Sequence, residues 1–151
     1  MNTVIRSKLN GAVLYSGEHV SLREAVLCAL RDGVNIRGAN LRGVDLTDAY
    51  LVGAGLDWVD MRDATLDGAT LDGAFFRGAK LPGVSMLGVS AIGVDFTSAD
   101  LSEADLSNAV LDYAQFGRAN LRAADACAAS IIGADFIGAN LSGIDLRRAV
   151  R

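Results

Sequence analysis

Histidine and cysteine are nearly missing from this chain of 151 residues: His19, Cys28 and Cys127 are the whole supply of both. The two cysteines have no metal-ligand spacing and form no disulfide framework, which argues against a zinc site and suits a reducing compartment. An enzyme needs a positioned nucleophile, acid, base or metal. His19 falls in a loop ahead of a helical segment, where a lone histidine is structural or solvated. Cys28 reads as a buried helix residue, and Cys127 as an outward one with no histidine near it. Glycine clusters such as GAGLDW follow a turn period and lack the strand-loop-helix context of a phosphate loop. No catalytic residue, cofactor or metal is therefore expected.

Positive charge is also in short supply. Lysine and arginine number 14 against 18 acidic residues, with a net charge of −4 and pI near 4.8. Direct binding to nucleic acid would lack its usual basic footprint, so a basic protein partner fits better. Long apolar runs are missing too. The opening MNTVIRSKLNGAVLYSGEHV is too polar for a signal peptide, and nothing later approaches a membrane span. The expectation is a soluble cytoplasmic protein with no membrane partner. At 51% hydrophobic residues the chain can still build one domain with a real core.

What the chain has in abundance is repetition. Stepping by five from Ile36 meets Leu41, Leu46, Leu51, Leu56, Met61 and so on to Leu141 and Leu146, with only Ala91 and Ala126 small. Two residues before each stands Ala, Val or, once, Ile, from Val34 to Ala149. In an extended segment residues two apart share a face, so each unit contributes two inward side chains and a corner. Glycine recurs at the corner, two after the large residue, as a turn with positive φ favours. Phe76, Phe96, Phe116 and Phe136 are spaced by twenty, so four units close one coil and the rings stack in a column. A unit this short buries nothing alone, and only stacking makes a core.

Residues 34–150 carry GANLRGVDL, SADLSEADLSNAVL and GANLSGIDL, and resemble the pentapeptide-repeat proteins with their A(D/N)LXX consensus. The resemblance implies an all-β solenoid, a right-handed quadrilateral parallel β-helix. Residues 34–151 at twenty per coil give about six coils and a rod of about 28 Å.

Residues 1–33 break the period and read as an N-terminal cap. Asn10-Gly11 between apolar flanks predicts a β-hairpin. SLREAVLCALRDG predicts a short helix with Ser21 as N-cap, Glu24 completing a capping box, an apolar face of Leu22, Ala25, Val26, Ala29 and Leu30, and Gly33 as the stop. That face is expected to cover the first coil. The far end has no such cap. A homodimer through the C-terminal coil is one expectation, and Arg147, Arg148 and Arg151 as gatekeeping charges on a bare edge is another.

Sorting outward positions by face gives two candidate binding surfaces. One face carries Asp45, Asp67, Asp105, Asp125 and Asp145, with Asp48 at a corner. Repulsion among Asp105, Asp125 and Asp145 on successive coils would raise their pKa values or attract a basic partner. Asp is also simply the consensus residue there, favoured by side-chain to backbone bonding. A second face carries Tyr50, Val52, Ile92, Val110 and Ile132, with Tyr113 at a corner, as an apolar stripe. Trp58 at a corner and Phe75 at an outward position extend the apolar set.

The family resemblance implies a non-enzymatic protein-binding module. Its Qnr-type members resemble DNA in shape and charge and bind DNA gyrase in place of DNA. The expected function is thus a DNA mimic and inhibitor of bacterial or phage origin. It would occupy the DNA-binding surface of a gyrase-type topoisomerase or of a phage-targeting immune nuclease. Duplex DNA of the rod's length carries about 16 charges; from residue 34 onward the chain has 15 acidic and 10 basic residues. The alternative is a scaffold that binds partners through the apolar patch of Tyr50, Val52, Trp58, Phe75, Ile92 and Ile132.

Overall fold

Residues 2–151 are described in a computed structural model of the chain. Strands β1 (Asn2–Arg6) and β2 (Val13–Glu18) pair antiparallel, and helix α1 (Leu22–Arg31) follows. The hairpin forms where Asn10-Gly11 predicts it, but its loop is longer than the two-residue turn that this dipeptide favours. The Ser7 N–H bonds the Ala12 carbonyl at 2.8 Å, and the Gly11 N–H reaches back to Ser7 at 3.0 Å. Gly11 takes a φ of 71°, so Asn-Gly closes the loop from its second half.

Helix α1 begins and ends by the chemistry its sequence carries. Ser21 Oγ accepts the Glu24 N–H at 3.1 Å. The return arm lands one residue early, with the Val20 N–H donating to Glu24 Oε2 at 2.8 Å. At the far end Gly33, with φ of 69°, donates to the Leu30 carbonyl, and Val34 donates to that of Ala29. These two bonds form a Schellman stop. Ala25, Val26 and Ala29 are buried in the common core, with Leu22 and Leu30 packed at its margin. Cys28, expected to be buried, is half-buried.

From residue 34 the chain winds into a square coil whose parallel bridges join residues twenty apart. Face I runs Asn40, Asp60, Lys80, Asp100, Asn120, Asn140; face II runs Asp45, Thr65, Ser85, Asp105, Asp125, Asp145. Face III runs Tyr50, Thr70, Ser90, Val110, Ser130, Val150, and face IV runs Gly55, Phe75, Asp95, Gln115, Asp135. Each corner is a β-turn, as where the Ala79 N–H donates to the Phe76 carbonyl at 3.0 Å. The third residue of each turn is left-handed. Where the sequence supplies no glycine the fold imposes the conformation regardless, on Asp48, Trp58, Tyr113, Arg118 and others. Each such residue costs about 1 kcal/mol or more, which the surrounding ladder offsets.

The interior is continuous. Phe76, Phe96, Phe116 and Phe136 stack with centroid separations of 5.3, 5.4 and 5.0 Å. The hairpin covers the first coil at face I: Ser7 bridges Ala39, and the Asn40 N–H donates to the Arg6 carbonyl at 2.8 Å. At the other end Ile131, Phe136, Leu141 and Leu146 are only partly buried, because no described coil lies beyond them.

Candidate protein-interaction faces

Face II owes its carboxylates to the turn that follows each one. Asp45 accepts the N–H of Thr47, Asp105 that of Ser107, Asp125 that of Cys127 and Asp145 that of Arg147, all at 2.8–2.9 Å. Asp67 occupies the neighbouring column and instead reaches the next coil, accepting from Ser85 Oγ at 2.5 Å and from the Leu87 N–H at 3.0 Å. Local bonding therefore explains why aspartate is there. It leaves the second oxygen of Asp105 and Asp125 without a hydrogen-bond partner among the described residues.

The acidic column is not uniform. Asp145 is ion-paired with Arg147 at 2.6 Å, and the hydrogen bonds and charge of that arginine hold its carboxyl below the usual range. Repulsion among stacked aspartates was expected to act in the other direction. The only opposing influence on Asp145 is its partial burial, and the arginine two residues on outweighs that. Asp45 is likewise held low by the Thr47 hydroxyl and N–H, with Arg23 nearby. Asp67, Asp105 and Asp125 form no ion pair, although the charge of Asp125 is felt by Arg147 on the next coil. No lysine or arginine of the repeat stands on face II or face III before Arg147; the earlier ones, including Arg42, Lys80 and Arg122, stand on faces I and IV. Half the circumference is thus free of positive charge along most of its length.

Face III carries Tyr50, 76% exposed, together with exposed Val52, Ile92 and Ile132, half-buried Val110 and, at a corner, Tyr113. Asp72 and Asp112 alternate with these apolar residues. Each bonds the next coil: Asp72 accepts from Ser90 Oγ and the Ile92 N–H, Asp112 from Ser130 Oγ and the Ile132 N–H. Trp58 and Phe75 lie on face IV and its corner, around the edge from Tyr50. The Trp58 ring lies on the next corner, where a Cβ added at Gly78 would come within 2.7 Å of it. Tyr113 covers Gly133 in the same way. Phe75 has the Arg77 guanidinium 5.4 Å from its ring centroid.

One cluster is absent from the sequence-level map. Asp57 is fully buried on face IV between Arg37 and Arg77 of the flanking coils. Burial pushes its carboxyl up, and is outweighed by hydrogen bonds from the Arg77 side chain and N–H and by the charges of both arginines, so it lies below the ordinary value. On face I the side-chain bonds of Arg62 hold Asp60 low against its burial. The spacing of twenty between Arg37, Asp57 and Arg77 is the signal that would have found the first cluster. A carboxyl depressed by folding contributes stability that is complete above its unfolded pKa and is lost as pH falls through the folded value. Stability should therefore decline on acidification below about pH 4. An Asp57→Asn, Asp60→Asn double variant should show a shallower loss, read as the difference in melting temperature between neutral and acidic buffer.

His19 is packed against Tyr15, with ring centroids 5.5 Å apart; its side chain is 10% exposed and Nε2 has no partner among the described residues. Among those residues no cluster of His, Cys, Asp and Glu could hold a metal ion, and no helix is long and apolar enough to cross a membrane.

The family model for pentapeptide repeats matches residues 32–68, 60–97, 92–125 and 129–150, in eight copies. The chain belongs to the pentapeptide-repeat family. Among solved structures it is similar to a pentapeptide-repeat protein of the Arabidopsis thaliana thylakoid lumen, at 29% identity and TM-score 0.51 over 72% of this chain and 68% of that one. It is also similar to trypsin-treated QnrB1 carrying R167E, a plasmid-mediated fluoroquinolone resistance protein, at 26% identity and TM-score 0.61 over 78% of this chain. The match spans 57% of the QnrB1 chain. Rfr23 of the cyanobacterium Cyanothece 51142, at 22% identity and TM-score 0.57 over 74% of this chain and 86% of that one, shares the fold. No curated protein matches. As in other pentapeptide-repeat proteins, the square coil is a right-handed quadrilateral β-helix.

Proposed function

We propose that this pentapeptide-repeat protein is a non-enzymatic, cytoplasmic binding module of bacterial or phage origin. Its acidic face II occupies the basic DNA-binding surface of a nucleic-acid enzyme, either a gyrase-type topoisomerase or an immune nuclease complex, and inhibits DNA binding there. The observation that carries this reading is the cation-free side of the rod on which Asp67, Asp105 and Asp125 stand unpaired. A basic groove gains most from a surface that offers carboxylates without internal counterions. The likeness to QnrB1, a fluoroquinolone resistance protein, supports a protein partner. The half-covered C-terminal coil, with Phe136 and Leu141 at its surface, supports a homodimer through that end.

Asparagine is the discriminating substitution, because its side-chain oxygen can still accept the turn N–H that each aspartate holds while the charge is removed. An Asp67→Asn, Asp105→Asn, Asp125→Asn variant should fold normally. It should lose about tenfold or more in partner affinity, and the wild type should lose a similar amount on moving from low to moderate salt. Capture from bacterial lysate with both forms, followed by identification of the bound protein, checks this. A nucleic-acid enzyme held only by the wild type at low salt is the expected result. Equal capture by both forms would overturn it.

A second reading rests on the exposure of Tyr50, Val52, Ile92 and Ile132: a scaffold that binds through faces III and IV. Under that reading Ile92→Asp, or a charge at Trp58 or Phe75, removes binding and the asparagine variant retains it.

A further inference from the structure

In every interior coil the bridge residues' N–H and C=O groups bond the coils on both sides, so a stretch where they do not stands out. On face III the Thr70 N–H donates to Ala49, the Leu51 N–H to the Thr70 carbonyl and the Gly53 N–H to the Asp72 carbonyl. On face IV the Phe75 N–H donates to Ala54 and the Leu56 N–H to the Phe75 carbonyl. One coil earlier, toward the N-terminus, the equivalent groups are the Tyr50 N–H and C=O, the Val52 C=O, and the Gly55 N–H and C=O. None of these has a partner among the described residues. The chain's own coverage resumes at Asp57, whose carbonyl accepts the Gly38 N–H at 2.9 Å. The hairpin covers face I, and the Arg23 guanidinium reaches the Asp45 carbonyl of face II at 3.3 Å. The same edge is open at the Asp45 N–H and at the Asn40, Arg42 and Thr47 carbonyls, and the gap at Tyr50–Gly55 is the part of it that borders a cleft.

That gap forms one wall of a cleft of about 780 Å³ between helix α1 and the first coil. Leu27, Leu30, Val34 and Leu51 line it with apolar surface, and its only charged lining residues are Arg31 and Arg37. Arg31 is bonded through Nε to Asp32, and Arg37 approaches Asp57 through Nε, so the outer nitrogens of both guanidiniums remain free for another carboxylate.

We infer that this cleft is a strand-addition site for an extended, acid-flanked peptide segment of a partner protein. Unpaired N–H and C=O groups on an open edge are satisfied by an added strand. The alternate side chains of that strand face inward, where Leu27, Leu30 and Leu51 accept apolar groups. In a protein with a net charge of −4, the two arginines give this cleft a preference for acidic residues. The site is separate from face II and does not depend on the acidic-face reading.

The test is amide exchange followed by ¹H–¹⁵N NMR on the full chain, titrated with the blocked peptide Asp-Thr-Val-Thr-Leu-Thr-Asp. Exchange at the Tyr50 and Gly55 amides should slow by about tenfold or more at saturation. The same peptide with lysine at both ends should bind about fivefold or more weakly, and one N-methylated at alternate amides should give no protection. Tyr50→Pro, which removes a donor that no native bond uses, should weaken binding without unfolding the chain. Absence of protection at millimolar peptide would overturn the site, as would equal protection by the N-methylated form. Slow exchange in the free protein that speeds up on dilution would also overturn it, because a second copy would then be the occupant.

Discussion

Replacing Phe96 with alanine is expected to destabilise the protein by about 4 kcal/mol. Phe96 is fully buried between two rings, tilted against Phe76 at 5.3 Å and stacked on Phe116 at 5.4 Å. Its removal leaves a cavity between coils that are each fixed by a complete backbone ladder, so the walls have little freedom to collapse. In a solenoid, stability is approximately a sum of units and nearest-neighbour interfaces, and this ring belongs to two interfaces. Phe136 contacts the column on one side only and is partly exposed. Phe136→Ala should therefore cost about half as much. Urea denaturation of the two variants measures the contrast. Equal losses would mean that the ring column does not carry the packing energy assigned to it.

Removing the Asp57 carboxylate is expected to cost about 3 kcal/mol as Asp57→Ala. Asp57 accepts from the Arg77 N–H at 3.1 Å and from its Nε and Nη2 at 3.1 and 2.9 Å, while Arg37 Nε lies 3.2 Å from it. Alanine would leave a turn N–H unsatisfied and two guanidiniums without their shared anion. Both arginine side chains are about half exposed and regain water, which keeps the loss below that of a fully interior pair. Asp57→Asn retains an acceptor for the N–H and should cost about half as much. If both variants unfold within about 0.5 kcal/mol of wild type, the cluster is not a stabilising tie.

The period of five made most of this architecture legible in the sequence. A large residue and a small one at fixed offsets define which side chains face inward, and the spacing of Phe76, Phe96, Phe116 and Phe136 gives four units per coil. The Ser21 cap and the Gly33 stop are local chemistry and follow from neighbouring residues alone. Less legible were features that arise only when one coil is laid on the next. Trp58 and Tyr113 read from sequence only as aromatic residues at corners, yet each ring packs on a glycine twenty residues ahead, Gly78 and Gly133. The alternation of Asp72 and Asp112 with Val52, Ile92 and Ile132 interrupts the stripe that sorting outward positions by face suggested. The pairing of Asp145 with Arg147 reverses a pKa expectation based on stacked carboxylates. Function is the least legible layer, because a repeat that specifies a rod says little about which of its faces meets a partner.

The most direct measurement of the central claim is competition with DNA. The captured partner, loaded with fluorescent duplex, would be titrated with this protein while anisotropy is followed. Loss of anisotropy that weakens with salt, and that the Asp67→Asn, Asp105→Asn, Asp125→Asn variant fails to produce, is the predicted result. A stable ternary complex holding duplex and protein together would contradict the account.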